Sequence, residues 1–250
     1  MKGINKFSGL LGAAALTLTM AGQAQAILFE GTNGSNLSAS ADFTLAGGNL
    51  QVVLTNTSTA DILNPAQVLT GVFFSVNGSS NFSSISGLLT SGSTVFYDPD
   101  GQPAGGIVGR EWAYATGLSG APNGATSGIS SAGLGLFGAG TFPGANLAGP
   151  PNSAVNGVQY GILSAGDNSA TGNGGIIGSG GLIRNSVTFT LGNIGSNFNL
   201  ANISNVSFQY GTSLTEPNVP SRGVPEPSTL LLLGAGLAGL GIWRRKASQV

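Results

Sequence analysis

Two carboxylates of this 250-residue chain, Asp98 and Asp100, lie within the short segment Tyr97-Asp98-Pro99-Asp100-Gly101. Carboxylate oxygens held in a tight turn can bind Ca²⁺. The spacing does not fit an EF-hand loop, because Gly101 falls at the fourth place instead of the sixth and Gly109 stands at the twelfth. Asp, Pro and Gly also favour turn positions, so a plain turn is the simpler interpretation beside a calcium site at Asp98 and Asp100.

A second group of chemically useful side chains is the segment Arg110-Glu111-Trp112-Ala113-Tyr114. On a strand, Trp112 and Tyr114 would share one face, where their rings could stack on the sugar rings of a carbohydrate. The alternative is that both rings pack in a β-rich core beside a surface ion pair, and this alternative is the simpler one.

Hydrolysis of polysaccharide is the enzymatic alternative. A glycosidase needs two carboxyl groups about 5 to 9.5 Å apart, and Asp98, Asp100 and Glu111 could supply them, although nothing in their spacing requires it. The chain contains no His and no Cys, which excludes Ser-His-Asp and Cys-His nucleophiles and zinc sites built on these residues. We therefore predict a protein that is not an enzyme and uses no cofactor.

The charge of the chain is distributed unevenly. Between Ile27 and the C-terminal segment there are three arginines, no lysine and eight carboxylates, a net charge of about −5. Nucleic-acid binding depends on clustered Lys and Arg, so this balance argues against a nucleic-acid partner. The 43 glycines and the many Ser, Thr and Asn residues also argue against a helical bundle.

The apolar pattern of the central region is that of β-strands. Leu50, Val52 and Leu54 alternate with more polar neighbours, and the Asn77-Gly78 turn signal follows a strongly apolar run. The pattern predicts strands over residues 39–45, 49–55, 68–76, 82–89, 94–97, 158–163, 186–191 and 203–210. This many short strands predicts an all-β fold, an antiparallel β-sandwich or a jelly roll.

Two stretches rich in Gly, Ala, Ser, Asn and Pro, residues 116–151 and 164–181, interrupt this rhythm. We predict that both are long surface loops. Within the first, Gly133-Leu134-Gly135-Leu136-Phe137-Gly138 has apolar side chains suited to pack back on the strands. It also spells G-x-G-x-x-G, but no strand-turn-helix context supports a nucleotide site.

Both ends of the chain carry export features. Lys2 and Lys6 precede an apolar stretch over residues 7–20, and Ala24-Gln25-Ala26 follows, which is typical of a signal peptide and its cleavage site. The mature chain is therefore expected to begin at Ile27, after cleavage by signal peptidase.

The C-terminal end reads Val224-Pro225-Glu226-Pro227, then an apolar run over residues 230–243, then Arg244-Arg245-Lys246. A helix of 14 residues covers about 21 Å of a hydrocarbon layer of about 30 Å, so it would be a marginal membrane anchor. The basic cluster favours the cytoplasmic side, which places the Pro-Glu-Pro motif on the opposite side. The two prolines favour extended backbone around Glu226, a geometry that suits a protease cleft.

This order of motif, apolar run and basic cluster resembles the PEP-CTERM sorting signal. The resemblance implies a partner, an exosortase-type membrane protease, and a Gram-negative envelope in which the protein is anchored transiently in the inner membrane. Residues 69–74, 157–163 and 206–212 are similar to stretches of exosortase-dependent surface proteins, often linked to exopolysaccharide or biofilm. The resemblance brings no catalytic residues.

The sequence thus predicts a signal peptide over residues 1–26, a β-rich exported domain over 27–219 and a sorting segment over 220–250 with a transmembrane helix over 230–243. We expect a structural or adhesive protein at the cell surface or outside the cell, with exopolysaccharide as a partner. A secreted polysaccharide hydrolase and a subunit that self-assembles through exposed strand edges remain as alternatives.

Overall fold

The structure is a computed structural model that describes residues 26–34, 36–77, 81–97, 101–142, 157–178 and 180–223. Its strands in these ranges are β1 (Ala26–Asn33), β2 (Leu37–Ala46), β3 (Asn49–Asn56), β4 (Leu69–Val76), β5 (Ser83–Leu89), β6 (Thr94–Phe96), β7 (Ala113–Thr116), β8 (Ser127–Ser130), β9 (Ile162–Leu163), β10 (Leu182–Arg184), β11 (Ser186–Gly192), β12 (Ile203–Tyr210), β13 (Asn218–Pro220) and β14 (Arg222–Gly223). One short helix, α1, spans Gly174–Ile177. Among the described helices, none has the length and apolar character needed to cross a bilayer.

The first sheet has six strands in the order β14-β1-β2-β3-β11-β5, and every neighbouring pair is antiparallel. Strands β2 and β3 are joined by Gly47 and Gly48, both with positive φ (57° and 78°). Two residues of this conformation form the tight hairpin turn whose twist matches that of the strands. The outer strands of this sheet are β14 and β5.

The second sheet follows the path β13-β12-β4-β9-β10-β6, with β8 beside β4 and β7 beside β8. Its strands are antiparallel except for β9 and β10, which are parallel. The prediction of a wholly antiparallel arrangement is therefore corrected at this pair. A parallel pair needs a long connection, and residues 164–181, which include α1, supply it.

One apolar core lies between the two sheets. Phe43 of the first sheet meets Phe74 of the second edge to face, with ring centroids 5.3 Å apart, and Phe29 packs on Phe43 in the same way at 5.7 Å. Leu50, Val52 and Leu54 are fully buried, as their alternation predicted, and belong to this core. The all-β prediction is confirmed.

Strand β4 is buried on both faces, because a second apolar cluster covers its outer side. Phe73 of β4 lies 6.0 Å from Phe137, measured between ring centroids. The expectation that the Gly133–Gly138 segment packs back on the strands is thus confirmed. Residues 116–142 are less loop-like than predicted, since they include β8, which is buried along its whole length.

All eight predicted strands contain observed strands, but the one over residues 158–163 shrinks to Ile162 and Leu163. Tyr160 has a φ of 55°, a left-handed conformation that a continuous strand does not allow. The sequence did not reveal β1, β8, β10, β13 or β14, since they are short or lack a clear apolar alternation.

Gly31 of β1 lies against side chains of β12 and β13, two strands of the second sheet. A Cβ atom at this position would lie 2.9 Å from Cδ2 of Phe208 and 3.1 Å from Cγ1 of Val219. Both neighbours are buried, so neither can move aside freely. Glycine is therefore required here for close packing, not for an unusual backbone angle.

We expect Gly31→Ala to lower the free energy of unfolding by about 1–3 kcal/mol, the usual cost of overpacking a well-filled core. Gly195→Ala is the matched control, because a Cβ at Gly195 meets nothing within 4 Å. Urea denaturation of the two purified variants measures the difference. Equal stability of both variants would contradict the close packing at Gly31.

Candidate functional site

The predicted sorting residues lie outside the described residues, and so does the predicted helix over residues 230–243. These sorting residues are Val224, Pro225, Glu226, Pro227, Arg244, Arg245 and Lys246. The structure does describe the segment that leads into them. We call residues 218–223 the C-terminal strap.

The C-terminal strap connects the two sheets. Its first part, β13, pairs with β12 at the edge of the second sheet, with Val219 opposite Phe208. The backbone N–H of Ser221 then donates a 2.9 Å hydrogen bond to the carbonyl oxygen of Val206. Its last part, β14, pairs with β1 at the edge of the first sheet. Six residues thus tie both sheets together at one edge of the body.

The start of the strap is held by the buried side chain of Gln209. Its Nε2 donates to the carbonyl oxygen of Ser213 at 3.0 Å, and its Oε1 accepts from Nδ2 of Asn218 at 3.2 Å. In the same hairpin, the Glu216 carboxylate accepts hydrogen bonds from the backbone N–H groups of Thr212 and Ser213 at 2.6 and 2.9 Å. These bonds fix the connection between β12 and β13, and with it the position at which the strap begins.

The carboxyl groups of Asp61 and Asp167 lie beside each other in the described part of the chain. Each carboxyl group accepts a hydrogen bond from the backbone N–H of the residue that follows the other aspartate. The N–H of Ile62 donates to Oδ1 of Asp167 at 3.0 Å, and the N–H of Asn168 donates to Oδ1 of Asp61 at 2.9 Å. The pair therefore joins two connections that are distant in sequence.

The two carboxyl groups have opposite acid–base properties. Burial raises the pKa of Asp167, and the nearby negative charge of Asp61 adds to the effect, while the hydrogen bond from Ile62 opposes it. Hydrogen bonds from the Thr171 hydroxyl and the Asn168 N–H lower the pKa of Asp61, which is half-buried. Asp167 is thus the member that holds a proton more readily.

Other polar side chains around this pair donate hydrogen bonds to backbone carbonyl oxygens. The guanidinium of Arg184 donates to the carbonyl oxygen of Asp167 at 2.6 Å and lies 5.3 Å from the ring centroid of Phe96. The hydroxyl of Tyr97 donates to the carbonyl oxygen of Ser169 at 3.0 Å. This arrangement secures the residues after β9.

The aromatic pair proposed as a carbohydrate platform packs on the apolar core. Trp112 precedes β7 and is 1% exposed, with its ring centroid 5.0 Å from that of Phe189 in the core. Tyr114, in β7, is half-buried against the same core, and burial raises the pKa of its hydroxyl. Trp112 presents no face to a sugar, and the packing of both rings is the arrangement that the simpler interpretation of this segment predicts.

Glu111 is also fully buried, next to the exposed Arg110. A carboxylate in this position cannot reach a polysaccharide. Asp98 and Asp100, the residues of the calcium interpretation, lie outside the described residues. In the part of the chain that the structure describes, no three Asp, Glu, His or Cys side chains are grouped so that they could hold a metal ion.

Sequence reasoning did not find the C-terminal strap or the Asp61–Asp167 pair. The strap strands are two and three residues long, and the two aspartates are brought together only by the fold. A weak signal existed for the strap, since Val219 is the one strongly apolar residue between Leu214 and Val224.

Comparison with known proteins identifies the segment that follows the strap. A family model described as the PEP-CTERM protein-sorting motif matches residues 223–246. The match begins at the last residue of β14 and covers the predicted motif, the apolar run and the basic cluster, so it confirms their recognition in the sequence. No curated protein and no solved structure matches the chain.

The Asp61–Asp167 pair predicts a specific pH dependence. Because the folded-state pKa of Asp167 is raised above 3.8, Asp167 stabilises the fold at low pH, and this contribution is lost as the pH rises through the folded pKa. Asp61, with a lowered pKa, contributes stability above 3.8 that is lost as the pH falls through its folded value. We expect Asp167→Asn to remove the contribution of Asp167, so that the stability of the fold changes less with pH just above pH 3.8. The midpoint of thermal unfolding, measured at several values from pH 3 to 7, tests this expectation.

The control for this experiment is Glu30→Gln, which removes an exposed carboxylate of β1, the strand next to the outer strand β14 of the first sheet. Its profile should keep the slope of the wild type above pH 3.8. A slope that persists in Asp167→Asn would show that this slope does not come from Asp167.

Proposed function

We propose that this PEP-CTERM sorting-signal protein is a non-enzymatic structural or adhesive component of an exopolysaccharide or biofilm matrix. The motif marks the chain for processing by an exosortase and for export to the cell surface through a membrane-anchored stage. The observation that carries the proposal is the direct succession of a folded all-β body and the motif, which begins at the last residue of β14.

The surface of the body favours a role in a hydrated polysaccharide. It has no lysine between Ile27 and Gly223, and its exposed positions include amide and hydroxyl side chains such as Asn33, Asn64 and Thr57. Amides and hydroxyls can both donate and accept hydrogen bonds, as the hydroxyls of sugars do. The acidic balance also prevents unspecific attachment to anionic surfaces.

The described carboxylates support a non-enzymatic role. Glu111 is inaccessible, and the carboxyl groups of Asp61 and Asp167 accept hydrogen bonds from backbone N–H groups. Asp42 is partly buried, and burial raises its pKa.

Replacement of Pro225, Glu226 and Pro227 by Ala tests the sorting step in the native host. We expect the variant to accumulate as a precursor in the membrane, because the protease would no longer recognise its substrate, whereas the wild type is shortened and leaves the membrane. Immunoblots of membrane, surface and extracted exopolysaccharide fractions report both size and location. Ser248→Ala with Gln249→Ala, beyond the basic cluster, is the control and should behave like the wild type.

The same fractions test the matrix role. The shortened wild-type body should be recovered with the exopolysaccharide and should appear in the medium of a strain that makes none. Recovery in the medium of both strains would count against a matrix component while leaving the sorting step intact.

A second candidate function, self-assembly, is favoured by the outer edge of β5, the last strand of the first sheet. Three large apolar side chains are exposed there: Ile85 (57%), Leu88 (39%) and Ile107 (51%). Part of this edge is covered, since the N–H of Val108 donates a 3.0 Å hydrogen bond to the carbonyl oxygen of Gly87 and Leu88 forms an isolated bridge with Ile107. Unpaired strand edges with apolar side chains favour pairing with a second copy of the chain.

If β5 is an assembly edge, Ile85→Lys should weaken self-association of the mature protein by about tenfold or more, since it removes one buried apolar side chain from each contact. Ile177→Lys is the matched control, because Ile177 is exposed to a similar extent (49%) but lies on α1. Sedimentation velocity over a concentration series measures the association. A monomeric wild type at all concentrations would exclude this second function.

A further inference from the structure

The C-terminal strap ends where the sorting motif begins, so the folded body and the protease substrate share one short stretch of chain. Building on the proposed sorting by an exosortase, we propose that β14 acts as a detachable strand. It must leave the edge of β1 before the protease can cleave, and it returns to β1 afterwards.

The first argument is reach. Residues 224–229 are all that separates β14 from the apolar run, and six extended residues span at most about 20 Å. The motif itself occupies most of that length. The protease is embedded in the membrane and binds the motif in extended form. As long as β14 stays paired with β1, the folded body would therefore clash with the protease. Release of β14 frees Arg222 and Gly223 and so adds about 7 Å of reach.

The second argument is the uneven strength of the strap. Strand β14 makes only two residue pairs, Phe29 with Gly223 and Glu30 with Arg222. The side chains of Glu30 and Arg222 are exposed, and an exposed pair of opposite charges adds little. In contrast, β13 makes three pairs and buries Val219 to 2% exposure. The strap therefore opens from its C-terminal end, and local opening of so small a unit needs little free energy.

The third argument is the direction of the chain. Because β14 is antiparallel to β1, its C-terminal end points toward Ala26, the first described residue of β1. The signal-peptidase site predicted at Ala26 and the sorting motif thus leave the body at the same end of one strand pair. Before either cleavage, the signal peptide and the C-terminal apolar run would both attach the body to the membrane at this edge. After processing, a re-paired β14 covers part of the edge of β1, which limits pairing with other chains.

A reversible cross-link tests the proposal directly. The chain contains no cysteine, so Glu30→Cys with Arg222→Cys can form only one disulfide within the chain. Directly paired residues of antiparallel strands have Cα atoms about 4.5–5.5 Å apart, which lies within the range of disulfides. In the oxidised form β14 is fixed to β1.

We expect the oxidised double variant to be processed at least about tenfold more slowly than the wild type, as a cross-link of ordinary strength should hinder opening by this factor or more. The rate should return when the disulfide is reduced, and each single cysteine variant should be processed like the wild type. Pulse-chase labelling in the native host, with and without a membrane-permeant reductant, measures these rates. Insertion of a six-residue Gly-Ser linker after Gly223 should restore fast processing of the oxidised form.

Processing of the oxidised variant at the wild-type rate would overturn the proposal. A slow rate that the linker does not restore would overturn the reach argument on which it stands. If the wild-type precursor is not shortened at all, the sorting function itself fails, and this outcome is distinct from both. Removal of the signal peptide and resistance of the body to added protease verify that each variant is folded.

Discussion

The edge-to-face contact between Phe43 and Phe74 marks the constraint on which the rest of the body depends: the two sheets must bury each other's apolar faces. The chain has no cysteine with which to form a disulfide, so its stability depends on burial and on backbone pairing. The second apolar cluster extends this principle, because it buries the other face of β4 under Phe137 and its neighbours. Polar side chains inside the body, such as Gln209, form hydrogen bonds with the connections between strands and so fix the position of these connections.

The two-sheet arrangement also determines how the body meets the export machinery. A segment that crosses from the edge of one sheet to the edge of the other ends at Gly223, and the sorting motif follows at once. Gly31 permits this crossing, because only a residue without a side chain fits against Phe208 and Val219. The packing that completes the core therefore also fixes the point at which the chain becomes a protease substrate.

The strands that carry strong alternation could be predicted from sequence, since β3, β4 and β12 bury side chains with a period of two or as a continuous apolar run. The sorting motif was equally readable, because its signal is linear: order, spacing and charge along the chain. The Asp61–Asp167 pair could not be predicted, since its partners lie more than 100 residues apart and meet only through the fold. The burial of Trp112 agrees with the simpler interpretation of its segment, since aromatic side chains readily fill the core of a β-rich fold.

The most direct test of this account is the intact mass and C-terminal sequence of the mature protein recovered from the native host. The account predicts a chain that begins at Ile27, retains the strap through Gly223 and lacks the apolar run over residues 230–243 together with the basic cluster. A mature protein that still contains residues 230–250 would contradict it, because the C-terminal segment would then be a permanent anchor and not a sorting signal.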